Sequence, residues 1–260
     1  MTRGLLAVMV VLLAIGGTAW AQPEQSVAAL QERAARGDAW AQTMLGAMYA
    51  TGHGVPQDDA EAVGWYRLAA EQGDTRAQFN LGVRYTTGRG VPQDHAEAVK
   101  WYRLAAEQGH TRAQYDLGVT YATGQGVPQD HAEAVKWLRL AAEQGLWLAQ
   151  VNFGLVYRTG EGVPQDSAEA VWWFRVAAEQ GEAQAQYNLG GMYESGSGVR
   201  EDYTQAHMWF NLSGSRATGN LRLRAAAGRD TIGRRMTPGQ VAEARRMARE
   251  WQEAFERRQR

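Results

Sequence analysis

The chain contains no cysteine. That excludes disulfides, a thiol nucleophile and the cysteine-linked anchor of a bacterial lipoprotein. Long apolar runs are scarce too. The run at 5–15 is shorter than the ~20 residues that a membrane-spanning helix needs. Clusters that carry chemistry are equally thin. The five histidines, His53, His95, His110, His131 and His207, form no i, i+4 pair with a carboxylate, so spacing offers no metal site. No serine sits in an elbow motif. The Gly-x-Gly loops lack the strand and the lysine that a phosphate loop requires. These absences give no catalytic, cofactor-binding or metal-binding residue, and they point to a protein that is not an enzyme.

Net charge is also small, at −1, but it is unevenly spread. Residues 22–215 carry 14 basic and 23 acidic side chains, whereas 216–260 carry 12 arginines and 5 acidic residues. The body is acidic and the tail basic. Residues 1–21 have the build of an export leader: Arg3 at the start, the apolar run, then Ala19-Trp20-Ala21 as a small-x-small cleavage site. The mature protein is then expected in the periplasm or outside the cell, starting near Gln22. Export and an acidic body argue against a nucleic-acid partner.

What the chain does have is a period. Gly52, Gly88, Gly124, Gly160 and Gly196 lie 36 residues apart, as do Trp65, Trp101, Trp137, Trp173 and Trp209. A fixed period of this size means one supersecondary unit stacked on its copies. In the copy at 74–109, Ala77, Leu81 and Tyr85 share one helical face. Gly82 lies inside that helix, at a cost of roughly 1 kcal/mol against alanine, and recurs as Gly46, Gly118, Gly154 and Gly190. Close approach of a neighbouring helix would offset it. Gly88 ends the helix, and Gly90-Val91 offers a plug to the core. Asp94 and Glu97 resemble a capping box for a second helix, whose inward face is Ala98, Trp101 and Ala105. Gly109 stops it. The tryptophans are expected to supply most of the burial.

Ala-Gln-x-x-Leu-Gly-x-x-Tyr at 77–85, Gly-x-Gly-Val at 88–91, and Ala98, Trp101, Ala105-Ala106 and Gly109 together resemble the Sel-one-like repeat (SLR) family, a relative of the tetratricopeptide repeat. The likeness covers about 38–216. It implies an all-α, right-handed α/α superhelical solenoid that serves as a protein-interaction scaffold. The lack of cysteine departs from the cysteine-rich secreted branch of that family, so penicillin binding is not carried over from it. The expected organisation is a signal peptide at 1–21 and a capping half-repeat at 22–37. Five repeats follow at 38–73, 74–109, 110–145, 146–181 and 182–217, and a basic helical cap at 218–260. In the cap, Thr237-Pro238-Gly239-Gln240 opens a helix whose stripe is Val241, Ala244, Ala248, Trp251 and Phe255. The apolar Leu146-Trp147-Leu148 is expected to contact a neighbouring turn.

Comparison between copies separates constant positions from variable ones. The constant, structural set is Gly82, Gly88, Gly90 and the five tryptophans with their equivalents. The variable set lies on the first helix of each unit: Arg76, Phe79, Asn80, Arg84, Arg112, Tyr115, Asp116, Asn152, Tyr187 and Asn188. If that helix lines the concave side, as in tetratricopeptide stacks, these residues line a groove. The run of Asn80, Asn152 and Asn188 could hydrogen-bond an extended peptide or, more simply, neighbouring helix ends. The function expected is a periplasmic, monomeric scaffold that binds a protein or peptide and uses no cofactor. The alternatives are a cell-wall hydrolase or penicillin-binding protein of the exported SLR type, and an envelope subunit docking through its arginine-rich tail.

Overall fold

A computed structural model describes residues 27–260; the leader at 1–21 lies outside the described residues. Every regular element described is an α-helix, and they fall into two compact units, one ending at Asp74 and one spanning Thr75–Arg260. The first holds α1 (Val27–Ala35), α2 (Ala39–Thr51) and α3 (Asp59–Glu71). The second holds α4 (Thr75–Thr87), α5 (His95–Glu107), α6 (Thr111–Thr123), α7 (His131–Glu143), α8 (Trp147–Thr159), α9 (Ser167–Glu179), α10 (Ala183–Ser195), α11 (Tyr203–Arg216), α12 (Gly219–Gly233) and α13 (Pro238–Gln259).

In the first unit, Leu30 and Ala34 of α1 meet Ala41 and Leu45 of α2 in one buried cluster. Asp38 caps α2 by accepting from the Ala41 amide at 3.1 Å. That bond, then the Arg33 guanidinium 2.7 Å away, holds its carboxyl below the usual range. The tight hairpin α2–α3 follows.

The second unit repeats that hairpin as α4–α5, α6–α7, α8–α9 and α10–α11. The mid-helix glycines explain how closely its helices approach. A β-carbon on Gly154 would stand 2.7 Å from the Phe174 ring, and on Gly82, 2.6 Å from the Tyr102 ring. The glycine makes a socket for a side chain of the partner helix, and Phe174 is fully buried in it. Burying such a ring contributes roughly 2–3 kcal/mol, more than the helical glycine costs.

This finding reassigns part of the burial. Trp137, Trp173 and Trp209 are buried, but Trp65 and Trp101 keep partial exposure. The residue after each tryptophan (Tyr66, Tyr102, Leu138, Phe174, Phe210) is buried in every copy.

The caps also differ from the expected box. Asp94 accepts from the Glu97 amide at 3.0 Å, but its own N–H donates to the Tyr85 carbonyl at 3.0 Å. Asp58, Asp130, Asp166 and Asp202 repeat that bond to Tyr49, Tyr121, Tyr157 and Tyr193. The backbone closes the interhelical loop and leaves the glutamate free, and Glu97 pairs with Lys100 instead at 2.7 Å. Both halves of a capping box do form at Thr237 and Gln240, with Pro238 in the first turn.

A second period locks hairpin to hairpin. Gln114 donates to the Ala106 carbonyl at 3.1 Å, and its own carbonyl accepts from Gln144 at 2.6 Å. Gln150 does the same with Ala142 and Gln180. These glutamines are buried, so the bonds satisfy groups that would otherwise cost 1–3 kcal/mol each.

The last hairpin is closed by the tail. Phe210 sits between Gly190 of α10 and Gly228 of α12, with virtual β-carbons 2.9 and 3.1 Å from its ring. Along α13, Ala244 and Ala248 are buried, and Trp251 meets Trp209 edge-on at 5.9 Å. Leu146 and Trp147 pack against buried clusters of the second unit, so this apolar segment does make contact.

Candidate binding groove

The first helices of the last two hairpins, α8 and α10, with Arg224 of α12, line a half-open cavity of about 750 Å³. Its apolar lining includes Leu148, Val151 and Leu155 of α8 and Met192 of α10. Val151 and Met192 are buried, so this is a built floor and not a scatter of surface side chains. The polar lining includes Asn152, Gln184, Tyr187 and Asn188. Arg158 and Arg224 bring positive charge, against one carboxylate from Glu194.

Asn188 is the telling group. It is 7% exposed. Its side-chain carbonyl accepts from Gln184 at 3.2 Å, while its Nδ2 has no partner. A buried donor without an acceptor costs about 1–3 kcal/mol, which an acceptor brought by a ligand would recover. Tyr187, next to it, is held from two sides. Its ring meets Phe210 at 5.5 Å, and Arg224 lies over its other face at 4.6 Å and donates to its hydroxyl at 3.3 Å.

The structure brings Asn152, Tyr187 and Asn188 into this one cavity. Tyr115 is tied to its edge, since its hydroxyl accepts from Asn152 at 3.2 Å. The other residues of the variable set lie elsewhere. Arg76 is exposed on α4, and Asn80 is half-buried on the same helix. Phe79 stacks on His110 at 4.6 Å and tilts against Tyr102 at 5.9 Å. Arg84 is 9% exposed. Arg112 pairs with Asp116 at 3.2 Å and lies 5.1 Å over Tyr115. Burial pushes the Asp116 carboxyl up, and Arg112 only partly opposes it. His110 caps α6 through Nδ1, which accepts from the Ala113 amide at 3.1 Å, and burial holds its pKa down.

Gly88 and Gly90 take positive φ, at 68° and 78°, in the loop between α4 and α5. Among the described residues no group of three or more His, Cys, Asp or Glu side chains could hold a metal ion. Nor is any described helix long and apolar enough to cross a membrane. Arg224 was not singled out from sequence. Gln184 and Met192 share their places in the repeat with Arg76 and Arg84, and variation between copies marks those places. Arg224 lies where the period has ended.

Stacked hairpins with a lined first-helix face define an all-α helical repeat protein of the solenoid class. Within that class the chain belongs to the Sel1 repeat family, whose sequence model matches residues 41–74, 75–110, 111–146, 147–182 and 183–216. Sel1 repeats generally mediate protein–protein interaction. A solved Sel1 repeat protein from Oxalobacter formigenes is 35% identical, covers 88% of this chain and 94% of its own, and superposes with a TM-score of 0.76. A protective antigen present in uropathogenic Escherichia coli strains, displaying an SLR fold, is 28% identical over 89% of this chain and 66% of its own, with a TM-score of 0.46. Comparison with curated proteins gives no match.

Proposed function

We propose that this protein is a non-enzymatic adaptor that holds an extended segment of a protein partner in the cavity between α8, α10 and α12. The observation that carries this is the buried, unpartnered Nδ2 of Asn188 beside an apolar floor. A segment that displaces the side chains covering that amide would bring it a carbonyl acceptor, and an apolar side chain would rest on Val151 and Met192. Polar groups that fix orientation over an apolar base are the usual make-up of a ligand site. Arg158 and Arg224 favour a segment with an acidic residue nearby.

Selection from a displayed random peptide library tests this. The wild-type chain is expected to enrich peptides that pair an apolar with an acidic residue. Asn188→Asp turns the donor into an acceptor, and it should bind them at least about tenfold more weakly with unchanged helical circular dichroism. Peptides that hold equally well to Asn188→Asp would refute the site.

We also place the adaptor in the periplasm, because residues 1–21 have the composition of an export leader. Fractionation of cells expressing the full chain, with the amino terminus of the exported form sequenced, checks that placement. Protein retained in the cytoplasm with its first residues intact would sink it.

A further inference from the structure

The fifth hairpin departs from the others at a buried position. Val63, Val99, Val135 and Val171 occupy equivalent places on the second helices, and all but Val135 are buried. In α11 that place is held by His207, 3% exposed, whose Nδ1 has no hydrogen-bond partner. One turn on, Asn211 stands where the earlier copies carry Arg67, Arg103, Arg139 and Arg175. Exchanging valine for histidine in a packed interior loses apolar burial and leaves a polar ring short of partners. The change coincides with the hairpin whose second helix, α11, packs on both α12 and α13.

Those two helices complete a pocket around the imidazole. Its volume is about 480 Å³, and three helices line it with residues one turn apart: His207 and Asn211 from α11, Arg229 and Gly233 from α12, Val241 and Arg245 from α13. Asp230 and Arg234 finish the wall. The Nε2 edge of His207 faces Gly233, where a β-carbon would stand 3.9 Å away.

The charge is lopsided. Arg229 is neutralised by Asp230 at 2.8 Å. Arg234 donates only to the Thr231 hydroxyl, at 3.1 Å. Arg245 makes no ion pair among the described residues, whereas the next residue, Arg246, is clamped between Glu243 and Glu250 at 2.6 and 2.7 Å. Two guanidinium groups are therefore left without a counter-charge at one concave spot. Burial, then Arg229 and Arg245, press the pKa of His207 down, and Asp230 opposes them.

We propose that the pocket between α11, α12 and α13 binds the phosphate group of a phosphomonoester. A carboxylate is satisfied by a single guanidinium fork, whereas a phosphate dianion has three peripheral oxygens. The two uncompensated guanidinium groups, Arg234 and Arg245, with an imidazole N–H beside them, match that larger demand. The site stands apart from the peptide cavity and does not depend on it.

The test uses the full chain, with inorganic phosphate and O-phosphoserine as probes, and serine and chloride at matched ionic strength as controls. Titration calorimetry is expected to show saturable one-to-one binding of O-phosphoserine and none of serine. The ring resonances of His207, alone among the five histidines, should move with the same saturation. Arg245→Ala and Arg234→Ala remove exposed side chains and should each weaken binding by about tenfold. Arg257→Ala, an equal loss of charge elsewhere on α13, should leave it unchanged.

Vesicles containing phosphatidic acid separate a lipid headgroup from a soluble ester. Competition between vesicles and O-phosphoserine assigns the phosphate to lipid; binding of O-phosphoserine alone assigns it to a soluble molecule. The proposal is overturned if chloride has the same effect as phosphate. It is equally overturned if Arg245→Ala binds like wild type, or if His207 does not respond.

Discussion

At the scale of the residue, copies of one unit serve as each other's controls. Asn80, Asn152 and Asn188 share a position with Asp116. The structure explains why the carboxylate is the odd one. Its surroundings withhold water, so its pKa rises, and Arg112 at 3.2 Å offsets only part of that. A carboxyl whose pKa is higher in the fold than in the unfolded chain opposes folding when ionised. That penalty is present in full above the folded pKa and fades as pH falls through it. Asp116→Asn should therefore raise the thermal midpoint at pH 7, with the advantage over wild type shrinking on acidification. Arg112 keeps its place over the Tyr115 ring, 5.1 Å from the centroid. Thermal unfolding followed by circular dichroism from pH 7 downward measures both effects. A midpoint that drops at pH 7 would mean that the ion pair outweighs the burial of the carboxylate.

At the scale of the element, one substitution redirects a helix. Gln72, Gln108, Gln144 and Gln180 end the second helices, and position 216 in the same register is arginine. Gln108, Gln144 and Gln180 reach back to Gln78, Gln114 and Gln150 at 2.6–2.7 Å. Arg216 does not reach Gln186, whose side-chain carbonyl is buried without a partner. It turns to α13 instead. There it donates to Gln252 at 2.7 Å, with its guanidinium 4.3 Å over Phe255 and 5.2 Å over Trp251. Arg216→Gln should restore the glutamine pair and release the end of α13. The local loss is about 1–3 kcal/mol, the sum of a charge-assisted bond and cation–π contacts. Hydrogen exchange should quicken over 251–259 while α10 and α11 keep their protection. Unchanged exchange there would show that Trp209 and the alanine stripe hold α13 unaided.

This lock was invisible in the sequence, although both glutamines recur every 36 residues. A glutamine has no single preferred role, and its meaning here depends on a partner 30 residues away. The glycines and cap aspartates were legible because backbone geometry restricts who can stand there. The candidate groove was half legible: variability marked Asn152, Tyr187 and Asn188. Arg224 closes the cavity from a helix outside the period, and periodicity has nothing to say about it.

At the scale of the whole molecule, a repeat protein's stability is a sum over neighbours, so damage should stay near its source. Trp173 shows what a single core residue carries. It is buried on α9, meets Phe153 of α8 edge-on at 5.1 Å, and shares a cluster with Ala141 and Ala142 of α7. It thus spans two hairpins. Trp173→Ala removes that bridge and should cost roughly 3–5 kcal/mol, transfer and cavity terms together. Native-state hydrogen exchange separates two outcomes. In a chain governed by nearest neighbours, amides of α7, α8 and α9 lose protection and those of α4 and α5 do not. In a chain that melts as one body, all helices of the second unit lose protection equally. The repeated sockets and glutamine pairs join only adjacent helices, and therefore favour the first pattern. Uniform loss would mean that coupling runs further than any contact made by Trp173.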